Sequence, residues 1–372
     1  MENHYIFTAP GRVEIGGNHT DHQNGCVLAA TVNLETTADV LPNGTNSICI
    51  MSKGYGVVEI DIDDLAIREE EKNTTDALVR GIATAFKERG CRIMGFDAKV
   101  KSSVLPGSGL SSSAAFEVLI SRIINVLSFD GKLSPLEIAQ IGQFAENVYF
   151  GKPSGLMDQL TSAIGGIVFI DFENPKMPLI ERIDFDFARC DHTLCIIDSG
   201  ADHASLTGEY AAITQELRKV CAMFGKEVLR EVDETDFYRN IKEVRIAAGD
   251  RAVLRAIHVF QENKRVQMQV RALETEDFAT FLKCVAESGC SSWQYLQNVV
   301  PLGGKLHQEI AFALALCDRY LGGRGAYRVH GGGFAGTVQA FVPNEMLKDF
   351  KNNIEAVLGK DSCRALLIGA TC

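Results

Sequence analysis

Apolar runs typical of β-strands stand between polar and turn-forming residues in the first half of the chain. The stretches 26–41, 47–51 and 56–62 are such runs and are rich in β-branched residues. A helical spacing of apolar residues follows over 75–89. The pattern therefore predicts three strands followed by a helix.

The next hundred residues contain further strand and helix patterns. A strand is predicted at 96–104 and another at 166–172, and 111–127 is apolar at helical spacing. A second helix begins at Ser134, because Ser is a good N-cap and Pro follows in the first turn, and it continues to about Tyr149. The first half of the chain is predicted to be mixed α/β.

The second half of the chain combines a long helical region with a few strands. A strand is predicted at 193–198, the region 207–317 is largely helical, and strands return at 326–329 and 337–342. A turn-rich stretch containing Pro separates the halves at about residues 173–178, so we predict two domains, 1–175 and 176–372.

Length and composition indicate an ordinary globular protein. The 372 residues are enough for two domains, and 46% hydrophobic with 23% charged residues is a usual balance. A net charge of −11 argues against non-specific binding of nucleic acid. The first twelve residues contain no apolar anchor, and eleven scattered cysteines without a C-x-x-C pair suggest reduced thiols. We expect a cytoplasmic monomer that does not bind membranes.

A glycine- and serine-rich loop at Leu105–Ala115 stands between a predicted strand and a predicted helix. Glycines allow backbone N–H groups to approach phosphate oxygens, and a helix N-terminus adds unpaired donors. An ordinary turn with serine caps is the alternative. The sequence lacks the Lys of the common P-loop. The ATP-binding residues predicted here are Pro106, Gly107, Ser108, Gly109, Leu110, Ser111, Ser112, Ser113 and Ala114.

A second glycine loop, Gly331, Gly332 and Gly333, lies between two strand-like stretches. Consecutive glycines mark a backbone that bends sharply or approaches another group closely. A plain hairpin turn is the alternative for this loop.

With both loops identified, the sequence resembles the galactokinase branch of the GHMP small-molecule kinases over most of its length. Gly11–Asp21 reads GRVEIGGNHTD, where typical members read GRVNLIGEHTD. Ala145-Glu146 and the GLMDQ element at 155–159 resemble the AEH and GIMDQ elements, and 198–210 resembles the segment with a sugar-contacting Tyr. The resemblance implies an α/β (α+β) fold of two domains. The N-terminal domain would be a mixed sheet with helices and the C-terminal domain α+β with antiparallel strands, with the active site in the cleft between them.

The resemblance also implies catalytic and metal-binding roles. Asp158 corresponds to the carboxylate beside the anomeric hydroxyl, and Arg12 to the cation that stabilises the reacting groups. Glu146 and Ser113 correspond to the positions that hold Mg²⁺, so ATP and Mg²⁺ are the expected cofactors. Without their motifs, Asp158 and Arg12 would each be interpreted as part of a surface ion pair, and Glu146 as a solvent-facing carboxylate on a helix.

The implied sugar-binding residues are Asn18, His19, Asp21, Gly155 and Tyr210. Asn18 departs from the family, because typical members have Glu at this position. An amide does not repel a carboxylate, so a sugar acid such as galacturonate becomes an alternative to galactose. We favour galactose, since the other sugar positions match the family.

Two further functions remain open from the sequence. A non-catalytic sugar and ATP sensor on the same fold would be expected to lose catalytic residues, which are all present here. A homoserine or mevalonate kinase would not need the His-Thr-Asp element or the Glu-Tyr pair at 209–210. His22, His203 and His330 are interpreted as structural histidines.

Overall fold

A computed structural model describes residues 4–54, 56–104, 107–201 and 206–369. Pro106 of the predicted ATP loop and His203 lie outside these residues. The described chain divides into two compact units, which we call unit 1 (4–12 and 31–166) and unit 2 (13–30 and 167–369).

Strands and helices are numbered in chain order. The strands are β1 Tyr5–Gly16, β2 Cys26–Pro42, β3 Ser47–Ser52, β4 Val57–Asp61, β5 Phe96–Ser102, β6 Ile167–Asp171, β7 Leu179–Ile183, β8 His192–Asp198, β9 Ala326–His330, β10 Thr337–Pro343 and β11 Cys363–Leu366. The helices are α1 Thr75–Glu88, α2 Ser112–Phe129, α3 Pro135–Phe144, α4 Met157–Ile164, α5 Thr207–Ala222, α6 Glu234–Arg239, α7 Ile241–Ala248, α8 Asp250–Glu274, α9 Phe278–Ser291, α10 Glu309–Leu321 and α11 Leu347–Leu358.

Unit 1 pairs its strands in the order β4-β3-β5-β2, with β3 and β5 parallel and the other pairs antiparallel. Helix α3 begins with a capping box, because the Ser134 side chain accepts from the Glu137 N–H and the Glu137 carboxylate accepts from the Ser134 N–H. Helices α1 to α4 supply buried residues, and α2 contributes the largest set of them. The predicted phosphate loop leads into α2, and these packed helices support it.

Unit 2 contains a four-stranded antiparallel sheet in the order β11-β8-β10-β9. Apolar residues of β8, β9 and β10 pack with α10 and α11 in one core cluster. A second cluster joins α5 to α8 and includes Phe334, which follows the second glycine loop. The segment 331–336, which begins with the three glycines of that loop, joins β9 to β10.

The predicted fold class is confirmed: one part of the chain forms a mixed sheet with helices, and another forms an antiparallel sheet with helices. The helix predicted from 134 to 149 changes character at Ala145, where a π-helical turn, Ala145–Phe150, replaces the α-helix. Such turns often occur at functional sites. Sequence analysis missed β1, β7, β11, α4 and α11. The elements β7, β11 and α4 are short, and β1 is interrupted by glycine and polar motif residues, whereas α11 carries apolar residues at helical spacing and was predictable.

Within the described residues, one helix, α2, is long and apolar enough to cross a membrane by length and composition alone. Most of this helix is buried inside the protein, as in the core helix of a folded domain.

Candidate active site

The first glycine loop leads directly into the N-terminus of α2 in unit 1. Gly107 and Gly109 have φ values of 75° and 73°, in the left-handed region that favours glycine. Ser111 occupies the N-cap position with φ 55°, but its hydroxyl does not cap the helix. The alternative of a simple serine cap therefore does not explain Ser111, and the first turn of α2 keeps N–H groups for an anion.

Arg12, Ser111 and Asp158 meet in one hydrogen-bonded cluster. Arg12 forms two bonds to the Asp158 carboxylate, Nε to Oδ1 at 2.7 Å and Nη2 to Oδ2 at 2.5 Å. The Ser111 hydroxyl donates to Asp158 Oδ2 at 2.7 Å. Arg12 also fixes the glycine loop, because its Nη1 donates to the Gly109 carbonyl at 2.6 Å and its backbone N–H to that of Leu110. The two predicted catalytic residues and the phosphate loop are thus joined in one hydrogen-bonded cluster.

The charge of Asp158 follows from these contacts. Burial alone would raise the pKa of its carboxyl, but the positive charge of Arg12 and the hydrogen bonds from Arg12 and Ser111 outweigh burial and lower the pKa below its ordinary value. The carboxylate is therefore ionised at neutral pH. Its side chain is 30% exposed, so it remains accessible to a ligand.

Glu146 lies in the π-helical turn, and its carboxylate is almost fully buried. Its Oε1 lies 2.9 Å from Lys152 Nζ and 3.5 Å from the Ser113 hydroxyl, and its Oε2 accepts from Gln159 Nε2 at 3.0 Å. The structure thus brings the two predicted metal ligands, Glu146 and Ser113, together at the start of α2. A carboxylate and a hydroxyl are oxygen donors of the kind that Mg²⁺ prefers.

A cavity of about 540 Å³ opens in unit 1 beside the same helix N-terminus. Its walls combine apolar side chains with hydroxyl and ammonium groups, among them Lys53, Lys101, Ser112, Ser113, Phe116 and Phe150. This volume is in the usual range for small-molecule pockets. Because Ser112 and Ser113 line it, a ligand in the cavity would lie next to the phosphate loop.

The second glycine loop lies in unit 2, where it contacts three of the predicted sugar-binding residues. Asn18 Nδ2 donates to the Gly331 carbonyl at 2.6 Å, and the Tyr210 hydroxyl donates to that of Gly333 at 2.7 Å. His19 Nε2 lies 2.9 Å from the Gly332 carbonyl oxygen. Since a carbonyl can only accept, Nε2 carries the proton.

His19 and His22 form a short chain of neutral rings. His19 Nδ1 is 3.0 Å from His22 Nε2, and His22 Nδ1 is 3.2 Å from Gln23 Nε2. Burial lowers the pKa of both histidines, that of His22 to about 3. This agrees with a structural interpretation of His22. Asp21 accepts from the His22 N–H at 2.8 Å, a local turn bond.

Asn18 is fully buried, and its amide is used inside the protein. Its Oδ1 accepts from Asn298 Nδ2 at 2.9 Å, and its Nδ2 lies 3.3 Å from Glu14 Oε1 as well as bonding to Gly331. Glu14 in turn pairs with Arg328 at 2.7 Å, and neither side chain is exposed by more than 7%.

Sequence analysis missed Glu14, Asn298 and Arg328, although the signature contained a clue to the first. Glu14 stands where typical members have Asn, and Asn18 stands where they have Glu. The two side chains contact each other. Compared with typical members, the carboxylate and the amide of this contacting pair have therefore exchanged positions in the sequence. Asn298 and Arg328 lie outside any motif, and only the fold brings them to Asn18 and Glu14.

The remaining predicted residues have simpler surroundings. Ser108, Leu110 and Ala114 are buried within the phosphate-loop region, and Gly155 is exposed just before α4. His330 is buried, with Nδ1 at 3.0 Å from the Thr337 hydroxyl.

Two buried groups near Asn18 predict a loss of stability in acid. Burial lowers the pKa of His258 to about 4, and Glu262 has a pKa of about 2, because Arg265, His258 and Arg328 together outweigh the effect of its burial. In the unfolded chain these values return to about 6.5 and 4.3. Below pH 6.5 the unfolded state therefore binds the additional proton of His258, and below about 4.3 that of Glu262, so stability falls with pH in both windows.

We expect the urea midpoint to decrease steadily from pH 7 to pH 4.5. The His258→Gln variant should show a shallower decrease, whereas His307→Gln, at an 85% exposed side chain, should match the wild type. Equal slopes for His258→Gln and the wild type would contradict the assignment.

Comparisons with known proteins identify the family of the chain. Residues 77–166 match the model of the GHMP kinases N-terminal domain, and residues 1–41 match the galactokinase galactose-binding signature. The galactokinase of Glaesserella parasuis serovar 5 is 32% identical over 93% of this chain and 87% of its own length. That of Actinobacillus pleuropneumoniae serotype 3 is 33% identical over 95% and 91%.

The fold also matches solved structures. Lactococcus lactis galactokinase in complex with galactose superposes with a TM-score of 0.83 at 24% identity, covering 99% of this chain and 94% of that one. Methanococcus jannaschii mevalonate kinase gives a TM-score of 0.69 at 14% identity, covering 98% of each chain. Because the curated relatives exceed 30% identity over nearly their whole length, the chain belongs to the galactokinase family, the sugar-kinase branch of the GHMP kinases.

Proposed function

We propose that this protein transfers the γ-phosphoryl group of ATP to the anomeric hydroxyl of galactose, giving α-galactose 1-phosphate and ADP. The observation that carries the proposal is the cluster of Arg12, Ser111 and Asp158 at the phosphate loop. In this reaction the sugar oxygen forms a bond to the γ-phosphorus, the bond to the bridging oxygen breaks, and ADP leaves. Asp158 orients the hydroxyl and accepts its proton as the new bond forms.

The lowered pKa of Asp158 makes it a weak base before the reaction starts. A carboxylate that remains ionised is nevertheless a good acceptor for the sugar hydroxyl, and the hydroxyl becomes acidic only as the bond to phosphorus forms. Arg12 holds the carboxylate by two parallel bonds, which fixes its direction. We therefore assign orientation of the nucleophile as the main role of Asp158 and infer that proton transfer is late.

For ATP, the support comes from the cavity at α2. It is large enough for a nucleoside, and Ser112 and Ser113 connect it to the helix N-terminus, where phosphate groups are stabilised. Lys53 and Lys101 in its walls add positive charge for an anionic ligand.

For Mg²⁺, the support is the pair of oxygen donors on Glu146 and Ser113. Within the described residues, no group of three or more His, Cys, Asp or Glu side chains could hold a metal by itself. Mg²⁺ commonly takes one or two protein ligands together with nucleotide phosphates, so the pair fits this ion. When bound, Mg²⁺ would neutralise charge on the phosphates.

Galactose is preferred over galacturonate in this proposal. The Asn18 amide is already bonded to Gly331, Asn298 and Glu14, so it offers no free donor for the carboxylate of a sugar acid. Glu14 also keeps a negative charge beside Asn18, although Arg328 compensates it. The curated relatives named above are galactokinases, which further supports galactose. The cytoplasmic location and the monomeric state remain predictions.

Turnover of a sugar panel tests the proposal. ADP release would be measured with ATP, with and without Mg²⁺, for galactose, galacturonate, N-acetylgalactosamine, arabinose and glucose. We expect the highest kcat/KM for galactose, a value at least about 100-fold lower for galacturonate, and no turnover without Mg²⁺. A higher value for galacturonate would reverse the substrate assignment, and sugar binding without any ADP release would favour the sensor.

A further inference from the structure

The glycine loop of unit 2 is held by side chains at each of its three carbonyl groups. Asn18 donates to Gly331, His19 to Gly332 and Tyr210 to Gly333, at 2.6, 2.9 and 2.7 Å. Each carbonyl thus has its own side-chain donor: two of the donors are neighbours in the sequence, and the third belongs to α5.

Asn298 ties these contacts together. Its Nδ2 donates to the Gly332 carbonyl at 3.1 Å and to Asn18 Oδ1 at 2.9 Å. The backbone carbonyl of Asn298 accepts from the Phe334 N–H at 2.5 Å. Asn298 is fully buried. It therefore contacts the loop at two points and fixes the orientation of the Asn18 amide.

The glycines are required by this packing. A Cβ on Gly332 would lie 2.5 Å from Cε1 of Tyr210, and one on Gly333 would lie 2.2 Å from the Asn298 carbonyl oxygen. Gly331 and Gly333 also have φ values of 70° and 80°. The loop is therefore built from glycine so that Tyr210 and Asn298 can pack directly on its backbone.

A loop of three glycines can act on a ligand only through its backbone dipoles, and these act well only when their direction is fixed beforehand. Resting on the proposed function, we propose that Asn18, His19, Tyr210 and Asn298 form a clamp on the glycine loop, and that Asn298 is a positioning residue for phosphoryl transfer. The clamp gives Asn18, His19 and Tyr210 a second role besides the sugar contacts expected from the family resemblance.

The test combines two variants and their double. Asn298→Ala removes the link to Gly332 and Asn18, and Tyr210→Phe removes the bond to Gly333 but keeps the ring. Each is expected to lower kcat for galactose about fivefold to tenfold, with the KM for ATP unchanged. Because either change frees the same loop, the double variant should lose much less than the product of the two single effects.

Amide hydrogen exchange of the peptide that covers residues 326–337 provides a readout independent of activity. Both variants should exchange faster in this peptide, while peptides of α2 keep the wild-type rate. Tyr327→Phe, within the same peptide, removes a tyrosine bond to Asp318 but leaves the four clamp residues intact, so it serves as the matched control with unchanged kcat and loop exchange.

The outcomes separate the clamp from the proposed function. Unchanged loop exchange in both variants, or fully additive losses of kcat, would overturn the clamp. A wild-type protein that does not phosphorylate galactose would overturn the proposed function, while the exchange measurement would still decide whether the clamp exists.

Discussion

The Asp158→Asn variant is expected to lower kcat for galactose by roughly 10²–10⁴-fold, with the KM for ATP changed by less than about twofold. The amide has the size of the carboxylate, but it cannot accept a proton from the sugar hydroxyl. It also cannot accept two charge-assisted bonds from Arg12 in the way that the carboxylate does. The loss therefore appears in the chemical step and not in ATP binding.

Asp130→Asn is a matched control for this experiment. It makes the same chemical change at a side chain that is 87% exposed, at the end of α2, where Asn tolerates the left-handed backbone. Steady-state kinetics should give wild-type kcat for Asp130→Asn. If Asp158→Asn kept most of the wild-type kcat, Asp158 could not be the residue that orients and deprotonates the hydroxyl.

Replacing Arg328 by Met is expected to destabilise the protein by about 3–5 kcal/mol. Arg328 is fully buried and donates to the Glu14 carboxylate at 2.7 Å and to the Glu14 carbonyl at 3.0 Å. Met has a similar length but no charge, so within the described part of the chain the variant leaves the buried Glu14 carboxylate with the neutral Asn18 amide, 3.3 Å away, as its side-chain partner. A buried carboxylate without a cation is costly, whereas removing both charges is much less so.

Urea unfolding of three variants measures this effect. Glu14→Gln combined with Arg328→Met should recover a large part of the stability lost in Arg328→Met. Arg324→Met breaks an ion pair with Glu345 whose side chains are 58% and 67% exposed, and it should cost about 1 kcal/mol or less. Equal losses of unfolding free energy for Arg328→Met and Arg324→Met would show that the buried ion pair contributes no more to stability than the exposed one.

Much of the fold was predictable from periodicity. Strands β2, β3, β5 and β8 and helices α1 and α2 carry clear apolar patterns, and the structure places them within a few residues of the predictions. Helix α4 was not predicted, because its first turn contains the Met-Asp-Gln motif and its apolar positions are few. The change at Ala145 from α to π geometry also has no pattern in the sequence.

The residues of the candidate site were predicted through motifs, but the hydrogen bonds between them were not. The sequence indicated Arg12, Ser111 and Asp158 separately, but only the fold shows that one carboxylate binds both other side chains. Asn298 illustrates the limit: it is a single polar residue in no motif, and its partners, Asn18 and the glycine loop, are 280 and 34 residues away in sequence. Contacts of this kind depend on packing that periodicity does not encode.

The most direct test of the account is the identity of the reaction product. Galactose labelled with ¹³C at C1 would be incubated with the protein, ATP and Mg²⁺, and the product examined by ³¹P and ¹³C nuclear magnetic resonance. The account predicts a phosphate monoester coupled to the labelled carbon, with the α configuration, absent when Asp158→Asn replaces the wild type at equal concentration and short times. Phosphate on another carbon, or unmodified galactose after long incubation with the wild type, would contradict it.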